Sequence, residues 1–202
     1  MQTAETASGA LKAQFTYGSD GRKLSARAGT GGFEYLGSLI YAYRGGTLSL
    51  AQAVTDEGTI QSAGVNYFIR DHLGSVRAVV DHTGKIVERN DYYPFGGRHE
   101  NSALSLSATN RYKFGGKESL EPVSLDMLDF GARFYDPRIA RWNTQDPLAE
   151  KYFSLSPYNY CAGNPITLVD PTGMFMTDYF NLNGKKVRHV DDNKTDRYLV
   201  LT

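Results

Sequence analysis

The sequence predicts a mainly β protein, built as an antiparallel strand–turn meander. Three observations predict it. Glycine and tyrosine are abundant, at 21 and 14 of 202 residues, and Gly-rich turns between aromatic and β-branched segments suit strands. Asp-His-x-Gly occurs at Asp71–Gly74 and again at Asp81–Gly84. Asp first and Gly fourth fit a type I turn, with the carboxylate bonding the turn's own amides. Between these turns Val76, Ala78 and Val80 alternate with Arg77 and Val79, which is the two-residue period of a strand. Such strands, at regular spacing, make a meander. Each strand–turn unit must pack on its neighbours, because it cannot bury a face alone.

Taken in order, residues 1–14 are small and polar and predict a poorly ordered leader. A Ser-Asp-Gly turn in "YGSDGRKL" (Tyr17–Leu24) and an Asp-Glu-Gly turn in "VTDEGTI" (Val54–Ile60) precede strand starts. Residues 15–65 read as divergent repeats of the same kind. Residues 98–110 are polar and small, which suits a surface loop. "RYKFGGKESL" (Arg111–Leu120) resumes with a strand, a Gly-Gly turn and a short helical turn. "LAEKYFSL" (Leu148–Leu155) has room for a two-turn helix, stopped before Pro157. "ITLVD" (Ile166–Asp170) reads as a short strand entering Pro171-Thr172-Gly173.

The whole chain narrows the function classes. The formal net charge is zero, which removes the simplest argument for nucleic-acid or acidic-membrane partners. Cys161 is the only cysteine, so no internal disulfide is possible, and a buried structural thiol is expected. No apolar run has signal-peptide length or bilayer-spanning length. His72, His82, His99 and His189 lack the close ligand spacing of a metal site, and no metal is expected. "GTGG" (Gly29–Gly32) lacks the strand–turn–helix context of a phosphate loop, and no cofactor is expected.

Two Asp-Pro turns carry the chemistry that remains: "DPLA" (Asp146–Ala149) and "DPTG" (Asp170–Gly173). Proline after each Asp fixes the backbone that aims the carboxylate. Two carboxylates at short range share a proton, so one can accept from water while the other donates. Asp-Pro-x-Gly is also an ordinary turn signature, and Tyr135–Arg138 is a third Asp-Pro turn with no assigned chemistry. On the residues alone, both readings stay open.

Four segments, in order, resemble the RHS/YD-repeat proteins and their C-terminal RHS repeat-associated core. They are "DHLGSVRAVVDHTGKIVERNDYYPFGG", "RYKFGGKE", "DFGARFYDPRIARWNTQDPLAEKY" and "SPYNYCAGNPITLVDPTGM". The match is close over 66–174 and loose over 15–65, and its wording is similar to the Bacteroidetes branch. The resemblance implies that the strands form part of a curved β shell, which the core closes. It implies an intramolecular aspartyl protease with Asp146 and Asp170 as catalytic groups. Arg141 supports them, and Pro147, Pro171 and Gly173 shape the turns. The scissile bond maps to Met174–Phe175. Ala149 stands where the family pattern has Gly.

The resemblance further implies that residues 175–202 begin a variable, toxin-type cargo. The expected partners are the rest of the shell, that cargo, an immunity protein and a secretion apparatus. The protein would be bacterial, and secreted or envelope-associated. A second class stays open: a non-catalytic structural module, or one binding surface carbohydrate through its aromatic residues, or a truncated remnant.

Overall fold

Ten strands lie side by side in chain order, as the turn spacing predicts. They are β1 (Gln2–Glu5), β2 (Leu11–Tyr17), β3 (Lys23–Ala28), β4 (Gly31–Leu36), β5 (Leu39–Arg44), β6 (Thr47–Thr55), β7 (Gly58–Gln61), β8 (Gly64–Arg70), β9 (Val76–Asp81) and β10 (Ile86–Arg89). A second sheet holds four short strands: β11 (Glu118–Ser119), β12 (Leu128–Asp129), β13 (Phe134–Asp136) and β14 (Arg141–Trp142). The structure is a computed structural model. It describes residues 2–5, 11–19, 21–99, 110–123, 125–151 and 153–174. Helical turns among the described residues are all 3-10, at Phe114–Gly116, Glu121–Val123, Ala149–Lys151 and Cys161–Gly163. None is long and apolar enough to cross a membrane. The fold is mainly antiparallel β.

The chain divides into two compact units. The first comprises the described residues of Met1–Ile69, Ala78–Glu88 and Leu120–Asp126, and the second those of Arg70–Arg77, Arg89–Ser119 and Met127–Thr202.

In the first unit, hairpin registers follow from tight turns at glycines. Gly58 opens β7 with φ 157°, and a Cβ there would sit 1.9 Å from the Asn66 carbonyl oxygen. Only glycine lets β7 and β8 approach so closely. The unit's buried apolar residues include Ala13, Phe15, Ala26, Ile40 and Val79, and Ser25, Gln52, Thr59 and Glu88 are buried as well. Across β3, β4 and β5, Arg27 pairs with Glu34 and lies 4.0 Å over the Tyr43 ring. Leu36, Leu48 and Leu50 are exposed in this chain.

The first fourteen residues differ from expectation where they are described. Gln2–Glu5 is strand β1, paired with β2 in the register Gln2↔Phe15. The missed signal is a two-residue alternation through Leu11, Ala13, Phe15 and Tyr17, whose Phe15 is fully buried. The turn at Asp20, residues 100–109 of the expected surface loop, and 175–202 lie outside the described residues.

The second unit is organised by aromatic rings. Phe114, Phe130, Tyr135, Trp142 and Tyr160 are buried together with Leu128, Cys161 and Leu168. Phe130 meets Trp142 edge-on at 5.0 Å, and Tyr135 lies 4.3 Å from Tyr160, centroid to centroid. Such pairs add to what area burial supplies. Tyr135 Oη donates to the Phe95 carbonyl at 2.7 Å, so its hydroxyl stays satisfied in the core. Burial first, then the neighbouring Cys161 and Asp136, push the Tyr135 phenol up. Burial, then the Asp170 charge, push the Cys161 thiol up, which makes it inert.

Two local expectations fail here. Among the described residues, Leu148–Leu155 makes only the 3-10 turn Ala149–Lys151. Ile166–Asp170 is not a strand: residues 165–167 form a turn, and the Leu168 amide donates back to Asn164 at 3.1 Å. In both places tertiary packing overrides a short local pattern.

Tyr135→Ala should destabilise the second unit by about 3–5 kcal/mol, the range for emptying a large aromatic site. Tyr135→Phe should cost only about 1 kcal/mol, from the lost hydrogen bond. Urea unfolding of both variants, followed by tryptophan fluorescence of Trp142, checks the difference.

Candidate functional site

The site is built from one repeated turn. In each copy an Asp Oδ1 accepts the amide two residues on. Asp71 accepts Leu73 and Ser75 at 3.0 and 2.9 Å, and Asp81 accepts Thr83 and Lys85 at 2.9 and 3.1 Å. Asp136 accepts Arg138 at 2.9 Å, and Asp146 accepts Leu148 at 2.7 Å. Asp170 accepts three amides, from Thr172, Gly173 and Met174, at 3.1, 2.7 and 3.1 Å. This is the Asx turn, in which the side chain mimics a backbone carbonyl. It uses one oxygen and leaves the other to be assigned by the surroundings.

For Asp146 and Asp170 the other oxygen goes to the same nitrogen. Arg133 Nη2 donates to Asp146 Oδ2 at 3.0 Å and to Asp170 Oδ2 at 3.3 Å. Arg133 Nη1 donates to the Pro157 carbonyl at 3.3 Å, and Nε donates to the Gly173 carbonyl. The Trp142 ring lies 4.2 Å from the guanidinium carbon. The Arg133 and Asp170 side chains are 2% exposed and Asp146 is 15% exposed, so this is a buried charge cluster with one rim facing out. Burial lowers the Arg133 guanidinium from its ordinary value, while Asp146 and then Asp170 push it back. It stays charged at any working pH.

Arg133 alters the electrostatics expected of the two carboxylates. An isolated pair relieves its repulsion by sharing a proton. Here a guanidinium between them gives both carboxylates one opposite charge.

The structure brings Asp146 and Asp170 together, as the paired turns anticipate, but with a different arginine. Arg141 is exposed on β14, facing Asp136 in the strand register and bridging Asn159 through its backbone. Its sequence proximity to Asp146 is misleading, because Arg141 points off the strand opposite to buried Trp142. Arg133, in "GARFYDP", belongs to neither Asp-Pro turn motif. Its signal was a charged residue inside the densest aromatic segment, where a cation needs a buried partner.

The turn residues sit as follows. Pro147 and Pro171 each follow their Asp, and the Pro171 carbonyl accepts Lys117 Nζ at 2.5 Å. Burial lowers the Lys117 ammonium, while Asp170 and then Asp129 raise it. Gly173 has φ 74°, and a Cβ there would meet the Arg133 backbone nitrogen at 3.1 Å. Ala149 is not among the described non-glycine residues with positive φ. Its amide closes the turn on the Asp146 carbonyl at 3.0 Å and the chain continues into a 3-10 helix, so this fourth position does not need glycine. Met174 is half-buried, and Phe175 lies outside the described residues.

Two hollows flank Asp170. A small one of about 20 Å³ is lined by Arg133, Asp146, Asp170, Ser156 and Asn159 among others. A larger one of about 280 Å³ has walls from Leu73, Gly116, Lys117, Phe130 and Tyr160, with Asp170 at its edge. Among the described residues, no group of three or more His, Cys, Asp or Glu is placed to hold a metal ion. His72 instead bonds the Ile166 carbonyl at 3.1 Å through Nε2.

Arg133→Met should cost about 3–5 kcal/mol at neutral pH, because it strands two buried carboxylates without their partner. Thermal unfolding of both proteins at neutral pH checks the loss.

Parts of known proteins are similar in sequence or fold to this chain. The salivary gland surface protein 1 of Aedes aegypti is 37% identical over 103 residues, covering 51% of this chain and 3% of that protein. The toxin subunit YenC1 of Yersinia entomophaga is 31% identical over 112 residues, covering 54% and 11%. The double-stranded DNA deaminase toxin A of Burkholderia cenocepacia is 29% identical over 128 residues, covering 62% and 9%. The chain therefore spans about a tenth or less of these relatives. Among solved structures, the TcdB2-TccC3 crystal structure matches with a TM-score of 0.63 at 20% identity, over 86% of this chain and 10% of that one. That likeness is one of fold. The Teneurin YD-shell family matches residues 38–160, more than half of the sequence, and this chain belongs to that family.

Proposed function

We propose that this chain is the C-terminal, RHS repeat-associated core of a bacterial toxin shell, and that it cuts itself near Met174–Phe175. The observation that carries the reading is the convergence of both Asp-Pro turns on Arg133. Asp146, Asp170 and the Gly173 carbonyl, one residue before the proposed cut, meet on that one side chain. An ordinary turn needs none of these long-range bonds. Relatives named as a toxin subunit and as a DNA deaminase toxin share this region while it covers a small part of each. That supports a common core which carries different cargo.

In this mechanism Asp170 is the fixed partner. Its Oδ1 holds the amides of Thr172, Gly173 and Met174 and so sets the path of the chain to be cut. Asp146, nearer the solvent, takes a proton from water as its oxygen bonds to the Met174 carbonyl carbon. Arg133 offsets the negative charge that develops. Asp146 then passes the proton to the Phe175 nitrogen as the C–N bond breaks. The products are a carboxyl group on Met174 and a free amine on Phe175. Residues 15–65 belong to the shell wall in this reading, and 66–174 to the core. Residues 175–202 begin the cargo. Pro147, Pro171 and Gly173 hold the turns. The exposed Leu36, Leu48 and Leu50 fit a wall that meets further parts of a curved shell. Secretion, an immunity protein for the cargo and a Bacteroidetes-type parent complete this reading.

A second reading makes Arg133 a structural clasp. It is favoured by how many bonds Arg133 makes, since its guanidinium reaches both carboxylates and two backbone carbonyls. In that case the strands close a shell or hold a surface carbohydrate, and nothing is cut.

A denaturing mass spectrum of the freshly purified chain separates the two readings. Self-cleavage predicts loss of residues 175–202 in the wild type, and an intact mass for Asp170→Asn and Asp146→Asn. An intact wild-type mass, with both variants merely less stable, would favour the clasp.

A further inference from the structure

The small hollow between Asp146 and Asp170 contains an unexplained atom. Asn159 lines it, and Asn159 Oδ1 is buried with no protein donor. Buried polar atoms rarely stay unpaired, and an ordered water is a common partner. The hollow measures about 20 Å³, and one water needs about 10–15 Å³ on the same measure together with two to four polar partners. Room and partners are both present.

The backbone holds Asn159 in place from two sides. Its amide donates to the Ser156 carbonyl at 2.9 Å, and its strand position bridges Arg141 of β14. The neighbouring Pro157 carbonyl takes both Arg133 Nη1, at 3.3 Å, and the Asp146 amide, at 3.0 Å. The segment carrying Asn159 is thus tied to the cluster it faces.

We propose that Asn159 holds one water in this hollow, as an acceptor beside the Asp146 and Asp170 carboxylates. The acceptors decide its orientation. Asn159 Oδ1 and an ionised carboxylate only accept, so the water gives one O–H to Asn159 Oδ1 and the other to a carboxylate. That leaves its lone pairs outward, as a nucleophile requires. Asn159 is a positioning residue in this scheme. The water's role as nucleophile rests on the self-cleavage reading, while its binding does not. In the reaction its oxygen joins the Met174 carbonyl carbon, one proton stays on the new hydroxyl, and the other travels through Asp146 to the Phe175 nitrogen.

The test combines a crystal structure of the full chain with cleavage rates. The wild type should show one ordered water within about 3 Å of Asn159 Oδ1. Asn159→Leu fills the hollow and should lack that water. Its cleavage should slow about 100-fold, and its melting temperature should equal or exceed wild type, because an unpaired buried carbonyl is gone. Asn159→Asp keeps an acceptor of the same shape. It should cleave near the wild-type rate at acid pH and lose rate as the pH rises and the new carboxyl ionises. A purely structural asparagine would move neither the water nor the pH profile. A wild-type hollow without water overturns the inference whether or not the chain cuts itself. So does a hydrated wild type whose Asn159→Leu variant cleaves at full rate. A water bound at Asn159 in a chain that never cleaves supports the water site and removes the self-cleavage reading.

Discussion

The second unit depends on one buried cation. Arg133 sits at 2% side-chain exposure among aromatic rings, where an unpaired charge would be very costly. Its surroundings are arranged to meet it: two carboxylates, two backbone carbonyls and the face of Trp142. These partners come from segments far apart in sequence. β13 must start where it does, both Asp-Pro turns must face inward, and Pro157 must fold back over them. A fork-shaped, permanently charged group is suited to this, since it bonds several oxygens in one plane. A lysine would hold fewer of them in fixed directions.

The same cluster explains how a turn can become a site. Asp71, Asp81, Asp136, Asp146 and Asp170 all spend Oδ1 on local amides. Local structure is then complete, and Oδ2 is left over. At Asp136 it goes to the nearby Arg138 at 2.8 Å. There burial raises the carboxyl, but the Arg138 bonds and charge more than offset this and hold it low. At Asp146 and Asp170 it goes to Arg133, 13 and 37 residues away in sequence. The difference between a turn and a candidate site therefore lies in one oxygen atom's partner. The third Asp-Pro turn shares the motif but not the convergence.

Buried charge also shapes what surrounds the cluster. On one side Lys117 fixes the Pro171 carbonyl and lies 5.2 Å from the Phe130 ring centre. On the other, the small hollow leaves Asn159 Oδ1 without a protein donor. Cys161, next in the aromatic core, is pressed toward its neutral form by the same burial. The cluster's bonds are made within the protein except at Asn159 Oδ1, which lines the small hollow, and such a place suits a solvent molecule.

The sequence by itself determined the local features. Strand–turn spacing, the Asx turns and the antiparallel meander were legible because they depend on neighbours two to ten residues apart. The four ordered segments were enough to point to a YD-type repeat protein. The strands at Gln2–Glu5 and Leu11–Tyr17 were not legible, because small, polar residues masked the alternation that leads to Phe15. Tertiary structure alone decided which arginine faces the aspartates. Arg141 is near Asp146 in sequence but points outward, while Arg133 reaches it from the bend just before β13. It also decided that Ala149 is tolerated, that Ile166–Asp170 turns instead of extending, and that Asn159 borders the carboxylates. For Arg133 and Asn159 the physical reason is that segments distant along the chain crowd around one buried guanidinium, and no local pattern records that choice; at Ala149 and Leu168 the backbone closes on a nearby carbonyl instead.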